Sequence, residues 1–311
     1  MIERSLFTEE HEIWRASVRR FVEEEIVPHH AQWEEEGIVP REIWLKAGSK
    51  GLLCCTVPEA YGGLGLDYLF DVIVFEELWR AGASGPGFLI HTDLVATYIL
   101  SFGTDEQKRH WLPKMVRGEA IGSLGMKAQD TSELFFEDVR IPASNMLGAE
   151  GKGFSLMMTK LPQERLAQAI RSATVTETVI EWTANYTAGR KAFGQTIADF
   201  QNTQYVLADL KARATMARVF TDKCIDLFRH GKLDPVDSAM AKLVTSELHC
   251  EAVDKCLQLF GGWGYMWEYP ICRAYADARV VKIAGGSVEV MKTIIARDMF
   301  KGRLPVSSSR K

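Results

Sequence analysis

Gln258-Leu259-Phe260-Gly261-Gly262-Trp263-Gly264-Tyr265-Met266-Trp267-Glu268-Tyr269-Pro270 decides how the rest of this 311-residue chain is read. An apolar helix runs into a Gly-Gly turn and an aromatic cluster. A little further on, Ile283-Ala284-Gly285-Gly286-Ser287-Val288-Glu289 places a second glycine pair at the start of another helix. Glycine lets the backbone come close to a ligand, and the amides at a helix N-terminus attract negative charge. The segment therefore predicts long helices joined by turns that could cradle an anionic group such as a pyrophosphate.

On both sides of that segment the periodicity is helical. From about residue 153 it predicts long helices near 153–190, 200–230, 235–260, 269–283 and 287–300, lengths that suit antiparallel bundle packing. In the N-terminal third, Thr8 caps a helix with the stripe Ile13, Trp14, Val18, Phe21, Val22 and Ile26, which Pro28 is expected to end. Pro40 starts another, with Ile43, Trp44 and Ala47 inward and Gly51 as its stop. A loop at 58–65 precedes helices near 67–81 and 87–102, and Thr104 with Gln107 forms a capping box for the next. Glu133 to Pro142 has the β-branched and aromatic content of a strand, yet one or two strands make no stable sheet alone.

Composition narrows the class. Apolar residues make up 47% and charged residues 25%, as in a globular protein, and the net charge of −4 comes with no basic block. Nucleic-acid binding and a polybasic membrane anchor are not expected, and no membrane span is apparent. The six cysteines include no Cys-x-x-Cys pair and no zinc-ligand spacing, so no metal site is predicted. The adjacent Cys54 and Cys55 read as buried reduced thiols in a reducing compartment. With Thr8 capping a helix so near Met1, the sequence predicts a bacterial-type cytoplasmic protein, or a mitochondrial matrix protein whose presequence is omitted.

Seven stretches in order carry a resemblance. They are Pro58 to Gly65, Gly103 to Lys108, Asp130 to Pro142, Gly151 to Phe154, Glu164-Arg165-Leu166, Arg190 to Gly194, and the segment quoted first. Together they resemble the acyl-CoA dehydrogenase family; Leu161 to Leu166 and Gly261 to Pro270 are most similar to its long-chain members. The resemblance implies a mainly α fold: an N-terminal helical domain (1–123), a remnant of a middle β-domain (124–150) with residual strands only at that junction, a C-terminal four-helix bundle (151–303) and a tail (304–311), expected to be disordered. It also implies that roughly a hundred residues of the β-domain, one domain's worth, are missing between Ser123 and Leu124. Two family loops that bracket the flavin ring have no counterpart.

The family resemblance implies FAD as cofactor, an acyl-CoA substrate of medium to long chain desaturated between Cα and Cβ in fatty-acid β-oxidation, electron-transfer flavoprotein as acceptor, and a homodimer or homotetramer. Most members carry the catalytic glutamate where this chain has Gly285; long-chain and isovaleryl members carry it in a Glu-Arg-Leu stretch, which Glu164 matches. Without the resemblance, Glu164 reads as a solvated helix glutamate and Arg190 as an exposed helix end. With it, Arg190, Gln201, Gln258, Leu259, Phe260, Gly261, Gly262, Ser287, Val288 and Glu289 are the expected cofactor residues. Arginine suits bidentate contact with a diphosphate. Leu161, Pro162, Gln163, Ala274 and Tyr275 are the expected substrate residues, while Trp263, Tyr265, Trp267 and Tyr269 read as packing. The alternative is a catalytically impaired or inactive helical oligomer, because the flavin ring would lack one wall and water would reach the base.

Overall fold

The computed structural model describes residues 2–122, 126–127, 130–131 and 137–301. The chain divides into two compact units, Met1–Val175 and Thr176–Lys311.

In the first unit, α1 (Glu9–Phe21) runs into a π-helical turn (Val22–Ile26) and then α2 (Val27–Glu36). Pro28 does not end the helix as its chemistry led us to expect. It occupies the first turn of α2, just past the π turn, where a missing N–H costs little. α3 (Arg41–Ser49) follows Pro40 and buries Ile43, Trp44 and Ala47, and Gly51, at φ +73°, turns the chain away. α4 (Tyr68–Arg80) is capped by Asp67, whose carboxylate accepts from the Leu69 N–H at 2.7 Å. α4 is the most buried helix of this unit, and α1 packs against it. Arg15 links the two by donating to the Glu76 and Glu77 carboxylates at 2.9 and 3.1 Å.

The expected helix at 87–102 is interrupted by a second π segment. Ile90–Ala96 is π-helical and α5 (Thr97–Phe102) continues it. α6 (Asp105–Val116) starts from the capping box read in the sequence: the Gln107 N–H donates to Thr104 Oγ1 at 3.2 Å, and the Thr104 N–H donates to Gln107 Oε1 at 2.9 Å. The core gathers Val18, Ile26, Leu53, Ile73, Phe75, Phe88 and Leu112, all nearly inaccessible. Burying side chains of this size is worth about 1.5–3 kcal/mol each.

Between the helical blocks, β1 (Met126–Lys127) pairs antiparallel with β2 (Asp130–Thr131). Of the stretch expected to be a strand, Glu133 to Phe136 lie outside the described residues. Glu137 to Pro142 is irregular and exposed, with Val139 and Ile141 open to solvent. The tail at 304–311 also lies outside the described residues.

α7 (Gly153–Gly189) is 37 residues long. Pro162 lies within it and removes the N–H that would bond the Met158 carbonyl. In the second unit, β3 (Lys191–Ala192) and β4 (Gln195–Thr196) form a hairpin, and α8 (Gln201–Arg229), α9 (Pro235–Phe260), α10 (Pro270–Ala278) and α11 (Val288–Met299) follow. α9 is the central helix, packed against α8, α10 and α11. Its buried face is built largely of small residues, among them Ser238, Ala239, Ala241, Thr245, Ser246 and Ala252. Among the described residues, no helix is long and apolar enough to cross a membrane.

Candidate functional site

The second unit holds an open cleft of about 700 Å³, lined by Arg190, Gln258, Leu259, Phe260, Gly261 and Gly262 together with Ala192, Ile197, Trp263 and Met266. Arg190 and the five consecutive residues Gln258 to Gly262, distant from it in sequence and all expected cofactor residues, thus share one cavity. Arg190 sits just past the end of α7. Its carbonyl accepts from the Ile197 N–H at 2.8 Å, which closes the base of the β3–β4 hairpin. Phe193 and Gly194 form the hairpin turn, both with positive φ (52° and 82°). That is the type I′ pattern, uncommon for a bulky residue at its first position, and Phe193 is 95% exposed.

Opposite the hairpin, α9 ends at Phe260. Tyr186 stacks on the Phe260 ring at 4.0 Å between centroids, and its hydroxyl donates to the Phe260 carbonyl at 3.2 Å. Burial raises the Tyr186 ionisation, and the nearby Arg190 charge opposes the rise. Gly261 then adopts φ 61°, ψ −140°, a region that side chains avoid. A Cβ added at Gly261 or Gly262 would meet nothing within 4 Å, so both glycines face open space. Among the described residues the Arg190 side chain has no ion-pair partner. A cation, a bare backbone and free volume are the donor set an anionic diphosphate requires.

The aromatic cluster behaves less uniformly than expected. Tyr269 packs edge-on against Tyr186 and Phe260, and Trp263 leans on Tyr269. Trp263 is nonetheless exposed, and so are Tyr265 and Trp267.

The other expected cofactor residues do not line the cleft. Gln201 opens α8, and its amide donates to the Tyr205 hydroxyl at 2.6 Å. Ser287 precedes α11, Val288 is buried and Glu289 is exposed. The Glu289 carboxyl is held below its ordinary range, first by its own backbone N–H and then by the Ser287 hydroxyl. Gly285 and Gly286, at φ 67° and 98°, shape the turn before them. Lys242 on α9 is fully buried, and its ammonium donates to the Gly286 carbonyl at 2.7 Å. Ala274 and Tyr275 lie on α10, the first half-buried and the second exposed.

In the first unit, Leu161, Pro162, Gln163 and Glu164 occupy one turn of α7. Glu164 is half-buried, and the Tyr98 hydroxyl donates to its Oε1 at 3.1 Å. Burial, the Glu164 charge and this hydrogen bond push the Tyr98 ionisation up to about 12. Gln163 is buried, and its amide nitrogen donates to Asp93 Oδ1 at 2.7 Å and to the Asp93 carbonyl at 3.2 Å. Asp93 is itself 2% exposed, and Tyr68 donates to its Oδ2 at 3.3 Å. Arg165, next along α7, is buried, which lowers its ionisation against the pull of Glu164.

Tyr98, Asp93, Tyr186 and Lys242 were not among the residues singled out from the sequence. All four contacts span long separations, and no local pattern marks them. Among the described residues, no group of three or more His, Cys, Asp or Glu could hold a metal ion.

Known proteins bear on this arrangement. Two family models match, the acyl-CoA dehydrogenase N-terminal domain over residues 8–119 and its C-terminal domain over residues 151–300. The long-chain specific acyl-CoA dehydrogenase, mitochondrial, of Sus scrofa is 39% identical over 377 residues, covering 95% of this chain and 88% of that protein. That alignment is longer than the 311 residues of the chain, so the relative carries a sizeable segment with no counterpart here. The crystal structure of acyl-CoA dehydrogenase from Geobacillus kaustophilus superimposes with a TM-score of 0.91 at 35% identity, covering 96% of this chain and 100% of that one. An acyl-CoA dehydrogenase complexed with FAD from Bacillus anthracis shares the fold, with a TM-score of 0.86 at 24% identity over 96% of this chain and 69% of that one. Two family models that together span most of the chain, and a relative at 39% identity, place it: the chain belongs to the acyl-CoA dehydrogenase family, whose members are FAD-dependent oxidoreductases acting on CH–CH groups.

Proposed function

We propose that the chain desaturates a medium- to long-chain acyl-CoA thioester between Cα and Cβ as an FAD-dependent acyl-CoA dehydrogenase of fatty-acid β-oxidation, with Glu164 as the base. The observation that carries this reading is the setting of Glu164. Its carboxylate is half-buried in a Glu-Arg-Leu turn of α7 and is fixed by a hydroxyl donor rather than left to solvent. A carboxylate so held can take the α-proton of the thioester at one of its oxygens. Identity of 39% to a long-chain enzyme supports the chain-length preference.

The residues present fit the anionic half of FAD. Arg190 and the Gln258 to Gly262 turn would hold its diphosphate, and Gln201, Ser287, Val288 and Glu289 are the further proposed contacts. FAD, when bound, supplies the acceptor for the hydride leaving Cβ, and electron-transfer flavoprotein is the proposed acceptor after it. Leu161, Pro162 and Gln163 on α7, and separately Ala274 and Tyr275 on α10, are the proposed substrate contacts. Because the α11 turn does not line the Arg190 cleft, we propose that these two groups serve cofactors of different copies in a homodimer or homotetramer. The proposed division is an N-terminal helical domain to about 123, a β remnant to 150, and a C-terminal bundle to 303.

One observation favours a second reading. The alignment with the Sus scrofa relative is longer than this chain, so residues that shield the reaction in relatives can be absent, leaving a flavin-free helical oligomer. The visible spectrum of the purified protein, before and after anaerobic addition of dodecanoyl-CoA, separates the two. An oxidised-flavin spectrum that bleaches supports the dehydrogenase. A bound flavin that does not bleach refutes Glu164 as a working base, and a colourless oligomer supports the second reading.

A further inference from the structure

Two consecutive residues of α7, Gln163 and Glu164, are each gripped by one segment, the π-helical turn Ile90–Ala96 and α5. Asp93 takes Gln163, and Tyr98, five residues on, takes Glu164. In a regular α-helix, side chains five residues apart point about 140° away from each other. A π turn bonds each residue to the one five ahead and so brings such positions back toward one face. The interruption of the helix is what lets Asp93 and Tyr98 reach neighbouring residues of the same partner helix. Thr97 reinforces the turn by donating from Oγ1 to the Asp93 carbonyl at 2.7 Å. That carbonyl also accepts from the Gln163 amide, so helix distortion and grip share an atom.

We propose that Tyr98 is a positioning residue for the base Glu164, its hydroxyl fixing the carboxylate while Asp93, through Gln163, fixes the turn of α7 that carries it. The proposal rests on the reading of Glu164 as base. One carboxylate oxygen, Oε1, is held by Tyr98, and the other, Oε2, is the one proposed to take the α-proton. A misplacement of the base by about 1 Å can cost a hundredfold in rate, so a single well-aimed donor on a half-exposed glutamate has a large effect.

The test uses the full-length protein and 3-thiadodecanoyl-CoA, a thioester whose β-carbon is replaced by sulfur. It can lose an α-proton to a base but has no β-hydrogen to transfer. Exchange of its α-protons in D₂O is followed by NMR for the wild type, Glu164→Gln and Tyr98→Phe. Tyr98→Phe should lower the exchange rate at saturation by about tenfold or more, the effect of losing one charge-assisted hydrogen bond, with the half-saturating concentration unchanged. Glu164→Gln should abolish exchange. Saturated exchange in Tyr98→Phe equal to the wild type overturns the proposal, and so does a change confined to half-saturation. Exchange that survives Glu164→Gln, or a wild type that exchanges nothing, refutes the base assignment and the proposal with it.

A second readout needs no turnover. In protein carrying ¹³C-labelled tyrosine, the resonance missing from Tyr98→Phe reports the Tyr98 hydroxyl. At pH 10 it should be almost wholly neutral in the wild type and more ionised in Glu164→Gln, because the amide oxygen can still accept the hydroxyl but the carboxylate charge no longer adds to burial. An unchanged resonance in Glu164→Gln shows that the two groups do not touch and overturns the proposal even if Glu164 is the base.

Discussion

Asp93→Asn should stabilise the protein increasingly as pH rises from 4 to 7, and by a constant amount beyond. Burial pushes the Asp93 carboxyl from its ordinary 3.8 up to about 7. The Gln163 hydrogen bond opposes that rise, the Asp71 charge adds to it, and the Tyr68 hydroxyl and Lys160 charge oppose it. A carboxyl raised in the folded state reverses the usual pattern. Below about 4 it is neutral folded and unfolded, and burial of the neutral group carries no charge penalty. Between 4 and 7 the unfolded chain releases a proton that the folded chain keeps, so each pH unit lowers stability by about 1.4 kcal/mol. Above 7 the full penalty, roughly 4 kcal/mol for a shift of about three units, is present. Asparagine keeps an oxygen for the Gln163 amide and carries no charge, so it escapes the penalty. Urea unfolding followed by circular dichroism at pH 4.5, 6 and 8, for both proteins, gives the difference at each pH. A difference that is the same at all three values, or that shrinks as pH rises, would refute the assignment of Asp93 as a buried, raised carboxyl.

Gly261→Ala should lose flavin on gel filtration, because a Cβ at φ 61°, ψ −140° strains the turn by about 1–3 kcal/mol; flavin retention equal to wild type would count against that turn as a cofactor contact. Tyr186→Phe keeps the ring stack on Phe260 and deletes the hydroxyl that donates to its carbonyl. It should cost about 1 kcal/mol in denaturant unfolding, and a loss as large as a core truncation would show that the stack itself was disturbed. Lys242→Met removes the buried ammonium from the Gly286 carbonyl and should cost about 1–3 kcal/mol. Hydrogen exchange at the N–H groups of the first turn of α11 should quicken while that of α8 does not; uniform quickening would argue against a local role.

Much of this fold is legible in the sequence because its signals are local. The Thr104–Gln107 capping box, the inward face of α3 and the extents of α8 and α9 need only neighbouring residues to be recognised, and each is found in the structure. The two π segments are not legible. Of the stripe read in the sequence, Val18, Phe21, Val22 and Ile26 are buried, Trp14 is half-buried and Ile13 is exposed, and the same residues suit an α- or a π-wound backbone, so Pro28 looked like an ending when it is a beginning. The Arg190 cleft was half legible. Gly261 and Arg190 announce themselves, whereas the Tyr186 hydroxyl that closes α9 comes from 74 residues away. Glu164 was reached through resemblance alone, since its partner Tyr98 lies 66 residues before it.

The π turn at Ile90–Ala96 can also be seen as one residue too many, absorbed by a helix that had no room for it. Removing a single residue there would let the segment wind into an unbroken α-helix with a full ladder of hydrogen bonds, a sounder piece of secondary structure than the one it replaces. The same deletion would swing Tyr98 by about 100° about the helix axis and carry its hydroxyl away from α7. On the proposed reading, the sequence that makes the better helix at this point makes the poorer hold on Glu164, the kind of local conflict found where helix stability is traded for a placed side chain.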